Sequence, residues 1–315
     1  VTDWLSVNRK ISMSAMKALF GSKLEFDKGL AEFNSFKTGG AAKYFISTQA
    51  VDDIVQAVKA ARKLKLPCFF LGGGSNILVS DQGYDGLIIR VDIQGLELAG
   101  DAEIVCGAGE ELSALVDFAA ENALTGLEFA AGIWGTVGGA VYGNAGAFGS
   151  NIGSIVTEVV LVDRGGGVKT VSPEYCRFGY RDSYLKTSGE AIVSIYFKLE
   201  KGDVGRIRQR IDEILALRRE KHPVEGRSAG CFFKNIPDAK QPHGEIPAGR
   251  LLEEVGAKQM AVGGARVFEN HANIIVNTGS ATSKDILALA EILKKRVYEK
   301  FGIMLEEEVV QLGKF

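Results

Sequence analysis

Eighteen of the chain's 39 glycines lie in the 82 residues from Gly72 to Gly153. Glycine loses more conformational entropy on folding than any other residue, so such a density belongs where backbone takes positive φ or approaches something closely. Helix and strand interiors tolerate it poorly, and the segment is expected to fold as ordered loops between short elements. Glycine and proline together make up only 45 of 315 residues, with no Gly-X-Y period, so neither disorder nor a collagen helix explains the excess. Phe129 to Thr157 also lacks any charged residue, and Gly135, Gly139 and Gly143 are spaced as G-x-x-x-G. Eight glycines with Asn144 and Asn151 make this a poor membrane helix, and a loop lining a ligand fits better.

Two glycine clusters stand out. LGGGSNILV, Leu71 to Val79, follows the short apolar run CFFL. Three consecutive glycines let main-chain N–H groups approach a phosphate or diphosphate without a Cβ in the way, and they equally suit a tight turn. No helix beginning Lys-Ser or Lys-Thr follows, so the cluster is neither a Walker loop nor G-x-G-x-x-G. GIWGTVGGAVYGNAGAFG, Gly132 to Gly149, repeats the theme, and two such loops in about 80 residues favour one extended ligand.

Around them, periodicity predicts helices over Val51 to Leu66, Leu112 to Leu124, Val204 to Arg219 and Ser283 to Phe301. The last opens with Thr282 and Asp285 as a capping-box variant. Strands are expected at Cys68 to Leu71, Leu87 to Val91, Ile155 to Val162 and Ala191 to Leu199, with a turn at Gly165 to Gly167. The class is mixed α and β, and a length of 315 residues suggests about two cores.

The 37 basic and 39 acidic residues nearly cancel and form no long basic run, which argues against nucleic acid or an anionic membrane and for a small-molecule substrate. Cys68, Cys106, Cys176 and Cys231 form no C-x-x-C, and His222, His243 and His271 are scattered; buried free thiols and no metal site are expected. The first 20 residues carry Asp3, Arg9, Lys10 and Lys17 without an apolar core, so no secretory signal is read there. GRSAG, Gly226 to Gly230, matches G-x-S-x-G but lacks the strand before and helix after that a nucleophile elbow needs. Arg181 in FGYRDSYLK reads as a surface arginine or as part of an aromatic-walled anion site, and Glu306 to Glu308 as a solvated acidic end.

Taken in order, FKTGGAAKYF from Phe36, LGGGSNILV, NAGAFG, FGYRDS, SAGCFFKN, AGRLLEEVG, ENHANIIVN and LEEEV resemble the UDP-N-acetylenolpyruvoylglucosamine reductases of peptidoglycan synthesis, over about Phe36 to Val309. The resemblance implies an α+β chain with an FAD-binding fold of the vanillyl-alcohol-oxidase type in two subdomains, residues 21–90 and 91–203. An α+β substrate-binding domain follows at 204–302, and 303–315 return to the flavin part. It implies bound FAD, NADPH as hydride-donating cosubstrate, a UDP-sugar enolpyruvyl ether as substrate, no nucleic-acid or membrane partner, and a cytoplasmic location. Leu71, Gly72, Gly73, Gly74, Ser75 and Asn76 would hold the cofactor with Gly132, Gly138, Gly139, Asn144 and Gly146. Arg181 would stabilise the carbanion formed by hydride addition, Cys231 would protonate it, and Glu308, the glutamate directly before Val309, would assist at the carboxylate. Tyr180, Lys234 and Asn235 would meet substrate, and Arg218 or Arg219 its diphosphate.

The short path from Arg181 to Cys231 resembles the family's second type, which lacks a long tyrosine-bearing loop. Departures stand at Cys231, where the family usually has serine, at Trp134 and Gly143 in place of a common proline and methionine, and at His222 in place of glutamine. A thiol of pKa about 8.5 is a stronger acid than a hydroxyl, so proton donation survives the exchange, with oxidation as its liability. Competing readings are another flavin oxidoreductase of the same fold and a non-catalytic flavin module.

Overall fold

A computed structural model describes residues 14, 16–223, 227–241 and 244–315. The first 20 residues, where no secretory signal is expected, therefore lie largely outside the described residues, as do Gly226 of the G-x-S-x-G match and His243. The described residues divide into two compact units, one falling within residues 1–28, 42–73 and 85–211, the other within residues 29–41, 74–84 and 212–315.

The first unit is built on two sheets. One is four-stranded, in the order Leu24–Gly29, Ala41–Thr48, Tyr84–Val91, Cys68–Leu71. The Cys68–Leu71 strand runs parallel to its neighbour, Cys68 opposite Leu87, which requires a crossover. Residues 72–83, which carry the first glycine cluster, make that connection. The helix Val51–Lys63 precedes the strand Cys68–Leu71, burying Ile54, Ala57, Val58 and Ala61 and ending before Lys65, whose φ is 52°. The other sheet is antiparallel and five-stranded, in the order Val168–Val171, Val156–Val162, Ala191–Lys198, Glu103–Gly107, Leu96–Gly100. Asp163 and Gly167 close the tight turn of its first hairpin. The helix expected to reach Leu124 stops at Glu121, because Ala123 takes a φ of 56° and Leu124 pairs with Lys201 as a short strand.

The glycine-rich stretch is not all loop. Val137–Gly143 is a short helix whose N-cap Thr136 accepts the Gly139 N–H. Val137, Ala140 and Val141, spaced i, i+3 and i+4, turn inward. Among the described residues no helix is long and apolar enough to cross a membrane.

The second unit packs the helices Ala248–Glu254 and Ser283–Phe301 with the antiparallel sheet Ala261–Val262, Ala265–Phe268, His271–Asn277. Thr282 and Asp285 form the capping box read from the sequence. Its core joins Leu251, Leu252, Ile286, Leu289 and Leu293 to Phe232 and Phe233, and it also takes in Phe36 and Leu78 from early in the chain. Val310–Leu312 pairs in parallel with Ile77–Val79, so the C-terminus is stitched beside the glycine cluster of the same unit.

Candidate active site

In the first unit, Gly72 and Gly73 lie directly against the second glycine cluster. A Cβ on Gly72 would stand 2.4 Å from Thr136 Oγ1, and one on Gly73 would stand 2.9 Å from the Gly135 Cα. The second cluster is itself laced to a neighbouring segment: Leu112 N–H donates to Gly135 C=O, Val137 N–H to Glu110 C=O and Gly138 N–H to Ala108 C=O. Gly138 has room only for hydrogen, Ala108 Cβ being 2.8 Å from an added Cβ, and Gly146 is closed off by Ser150 C=O at 2.7 Å. Gly132 is required for another reason, a φ of 72°. Gly139 differs from all of these: it is exposed, and the nearest atom to an added Cβ is Thr136 Oγ1 at 3.4 Å. Thr136, which sequence reasoning passed over, both caps this helix and packs on Gly72; its one signal was a threonine just before V-G-G-A-V.

The same unit carries the arginine. Gly179 and Asp182 exchange main-chain hydrogen bonds of 2.9 and 3.2 Å, leaving Tyr180 and Arg181 as the two residues of a tight turn. Arg181 occupies its second position at φ 53°, where a side chain is disfavoured by about 1 kcal/mol or more. Lys186 Nζ donates to the Arg181 C=O at 2.6 Å, and the guanidinium lies 5.8 Å from the Tyr180 ring centre. Asn144 braces the turn: its Nδ2 donates to Gly179 C=O at 2.7 Å, while its Oδ1 accepts the Gly153 N–H at 2.9 Å. This left-handed C-cap of the short helix thus ties the glycine cluster to the arginine turn.

In the second unit, Gly74 has a φ of 65°, and an added Cβ would lie 2.0 Å from Phe33 C=O. Ser35 holds the loop from the other side, its N–H on Gly74 C=O and its Oγ on Ser75 C=O. Asn76 Nδ2 donates to Glu308 C=O at 3.2 Å, and Val310 N–H donates to Asn76 C=O at 3.1 Å. Glu308 N–H in turn donates to Phe232 C=O at 2.8 Å. Asn76, Glu308 and the segment carrying half-buried Cys231 are therefore brought together within this unit.

The three glutamates sort apart. Glu306 pairs with Lys234 at 2.5 Å. Glu307 pairs with Lys294 at 2.5 Å and accepts from Gln311 at 2.7 Å, so the run is not a solvated end. Asn235 spends its carboxamide locally, Nδ2 on Glu245 at 2.7 Å and Oδ1 on the Ala248 N–H at 3.0 Å. Arg219 turns its Nε back to Leu215 C=O, whereas Arg218 is half-buried near His222. Burial pushes the Cys68 thiol up to about 12 and Cys176 to about 11; such thiols are inert. Ser228 is 1 % exposed and a bridge, not a helix, follows it at Cys231, so the G-x-S-x-G match is no elbow. Among the described residues no group of three His, Cys, Asp or Glu side chains could hold a metal.

Two family models match the chain: an FAD binding domain over residues 42–172 and the C-terminal domain of UDP-N-acetylenolpyruvoylglucosamine reductase over residues 222–312. Curated relatives agree. The UDP-N-acetylenolpyruvoylglucosamine reductase of Caldanaerobacter subterraneus is 35 % identical, covering 92 % of this chain and 94 % of its own. UDP-N-acetylenolpyruvoylglucosamine reductase 2 of Bacillus cereus is 36 % identical over 91 % and 92 %. The crystal structure of the Thermus caldophilus reductase superposes with a TM-score of 0.76 at 33 % identity, covering 92 % of this chain and 98 % of that one.

Proposed function

The chain belongs to the UDP-N-acetylenolpyruvoylglucosamine reductase family, and we propose that Arg181, Cys231 and Glu308 are the groups with which it carries out the reduction. The reaction is the FAD-dependent reduction of UDP-N-acetylenolpyruvoylglucosamine to UDP-N-acetylmuramate with NADPH, a step of peptidoglycan precursor synthesis. When bound, FAD supplies the redox chemistry, relaying hydride from NADPH to the enolpyruvyl double bond.

Hydride arriving at the terminal vinyl carbon leaves negative charge on the adjacent carbon and its carboxylate. A guanidinium held on a rigid turn lowers the cost of that charge without reorganising, which is the role assigned to Arg181, with Tyr180 beside it. The Cys231 S–H bond then breaks as a C–H bond forms at the carbanion, and solvent reprotonates the thiolate. Glu308 acts at the developing enol. The pairing of the Cys231 segment with Glu308, through Phe232 C=O at 2.8 Å, is the observation that carries this reading: donor and carboxylate sit on hydrogen-bonded neighbouring chains.

The two abutting glycine clusters fit a flavin and its diphosphate, because they concentrate main chain free of Cβ atoms and leave the face at Gly139 open. We assign cofactor contacts to Leu71–Asn76 and to Gly132, Gly138, Gly139 and Gly146, with Asn144 as their brace, and substrate contacts to Lys234, Asn235 and the Arg218–Arg219 pair. Functionally, residues 21–90 and 91–203 serve the flavin and 204–302 the substrate; the parallel pairing of Val310–Leu312 with Ile77–Val79 supports a return of the C-terminus to the flavin part. A cytoplasmic location and the absence of nucleic-acid partners complete the proposal.

The test is anaerobic and resolves two half-reactions. Cys231→Ser is expected to keep substantial activity. Cys231→Ala is expected to keep flavin bleaching by NADPH while reoxidation by the enolpyruvyl substrate slows by about 10²-fold or more. Equal loss of both half-reactions in Cys231→Ala rejects the donor role.

A further inference from the structure

Segment Cys231–Lys234 begins an antiparallel ladder with the strand His271–Asn277 and then departs from it. Cys231 bridges Ile274, and the Phe232 N–H donates to Asn273 C=O at 2.7 Å. At Phe233 the partner becomes a side chain. Asn273 Oδ1 accepts the Phe233 N–H at 3.0 Å, and Asn273 Nδ2 donates to Phe233 C=O at 2.8 Å. One carboxamide thus replaces a whole peptide unit, and only one orientation of the amide satisfies both bonds. Asn273 is 2 % exposed and Phe233 1 %, so removing the amide strands a buried N–H and C=O.

The other edge of the segment holds the carboxylate. Glu308 N–H donates to Phe232 C=O at 2.8 Å, Lys234 N–H donates to Glu306 C=O at 2.9 Å, and Phe233 bridges Glu307. Cys231 and Glu308 are thereby set through the same two residues, Phe232 and Phe233, and Asn273 is the side chain that fixes both from behind.

We propose that Asn273 is a positioning residue for the protonation step, holding the Cys231 segment, and the Glu308 chain paired with it, at the height from which the carbanion is protonated. The proposal rests on the reading of Cys231 as the proton donor. It predicts a selective defect, because hydride entry from NADPH does not use the thiol whereas product formation does.

The experiment uses flavin-loaded Asn273→Ala and Asn273→Asp, with each half-reaction followed anaerobically by flavin absorbance. Flavin reduction is expected to stay within about twofold of wild type, while reoxidation by the enolpyruvyl substrate slows by about 10- to 100-fold, as for a catalytic group displaced by an ångström or less. Asn273→Asp adds a readout that a merely structural role does not move. Its carboxylate still accepts the Phe233 N–H but opposes the Phe233 carbonyl; once protonated, it donates again. Its reoxidation rate, taken as a ratio to wild type, is expected to climb as the pH is lowered from about 8 to about 5.5, with the reduction ratio flat. Should Asn273→Ala fail to fold, the aspartate at the lower pH carries the test. Unchanged reoxidation in the folded aspartate at about pH 8, or equal slowing of both half-reactions, overturns the proposal. Cys231→Ala in the same assay separates the two ideas: if it reoxidises normally, the donor reading has failed; if it is slow while Asn273→Asp at about pH 8 is not, only the positioning role has.

Discussion

Gly73 and Phe233 are both points where two stretches of main chain meet, and the meetings are made differently. At Gly73 the side chain has been deleted so that backbone lies on backbone, Gly135 Cα standing 2.9 Å from where a Cβ would be. At Phe233 backbone is held by a carboxamide that copies a peptide group. Deletion brings chains close and leaves bare main chain that a cofactor can approach. Substitution keeps them at ladder distance and sets one register. The first suits binding a large, flat cofactor; the second suits aiming a single thiol. The difference also dictates how each fails, by collision in one and by unsatisfied polar groups in the other.

Collision is the harsher failure, so the largest effect is expected at Gly74. Gly74→Ala must keep a φ of 65° and place a methyl 2.0 Å from Phe33 C=O; neither atom belongs to a flexible side chain. A loss of about 3 kcal/mol or more is expected, seen as a drop in the urea midpoint with the slope unchanged. A variant within about 0.5 kcal/mol of wild type would mean that the loop relaxes freely and that its glycines are not there for packing.

The two regions were unequally legible in the sequence. The glycine excess pointed at Gly72 to Gly153, because deleting side chains alters composition. It did not reveal that Gly72, Gly73, Gly74, Gly138 and Gly146 are each required by the protein's own atoms, since close approach to a ligand and to another loop leave the same residue behind. Helices with strong periodicity, such as Ser283–Phe301 with its box at Thr282 and Asp285, were readable to the residue. Val137–Gly143 was not, because four apolar or small residues around three glycines carry too little period. Asn273 was invisible for a further reason: a buried asparagine in ENHANIIVN looks like any polar residue until its partner, 40 positions away, is known. Phe36 and Leu78 likewise read as local apolar residues, yet they fill the core of the second unit.

A middle-sized effect distinguishes the regions by pH. The Asn273 N–H is accepted by His271 Nδ1 at 3.2 Å, which serves only while that ring is neutral, with its proton on Nε2. Burial first, then Lys221 and Lys258, hold the His271 pKa below its usual value. Burial, then Arg218, His271 and Lys221, lower His222 to about 4; the two rings lie 5.8 Å apart. Both folded values lie below the unfolded value near 6.5, so the unfolded chain binds more protons in between. Stability contributed by neutral His222 is therefore fully present above about pH 6.5 and is lost as the pH falls toward 4. After discounting for partial exposure, a loss of about 1–2 kcal/mol is expected, and His222→Gln should flatten it in urea melts across that window. No acidic, basic, histidine or cysteine side chain occurs in Leu71 to Val79 or in Phe129 to Thr157, and burial raises the one phenol there, Tyr142, away from this window. Amide-exchange protection, corrected for its intrinsic pH dependence, is accordingly expected to fall at Phe233 before it falls at Gly73. A simultaneous fall would mean that the carboxamide-held segment is no more pH-sensitive than the glycine loops.

The smallest effect on stability carries the most information about the cofactor. Gly139 sits inside the helix Val137–Gly143, exposed, with no atom closer than 3.4 Å to an added Cβ. In the flavin-free protein Gly139→Ala should therefore stabilise by about 0.5–1 kcal/mol, the ordinary gain of alanine over glycine in a helix. Bound flavin should reverse the sign: if the open face at Gly139 exists for the cofactor, the methyl occupies its space, and FAD is retained less well even as the apoprotein melts higher. Gly143→Ala, with nothing within 4 Å of its Cβ, is the control for helix propensity at the other end of the same helix. Opposite shifts of apoprotein melting and FAD affinity in Gly139→Ala alone would separate a glycine kept for the ligand from those kept for the fold. Parallel shifts would place Gly139 with Gly73 and Gly74, and would leave the composition of this stretch explained by packing.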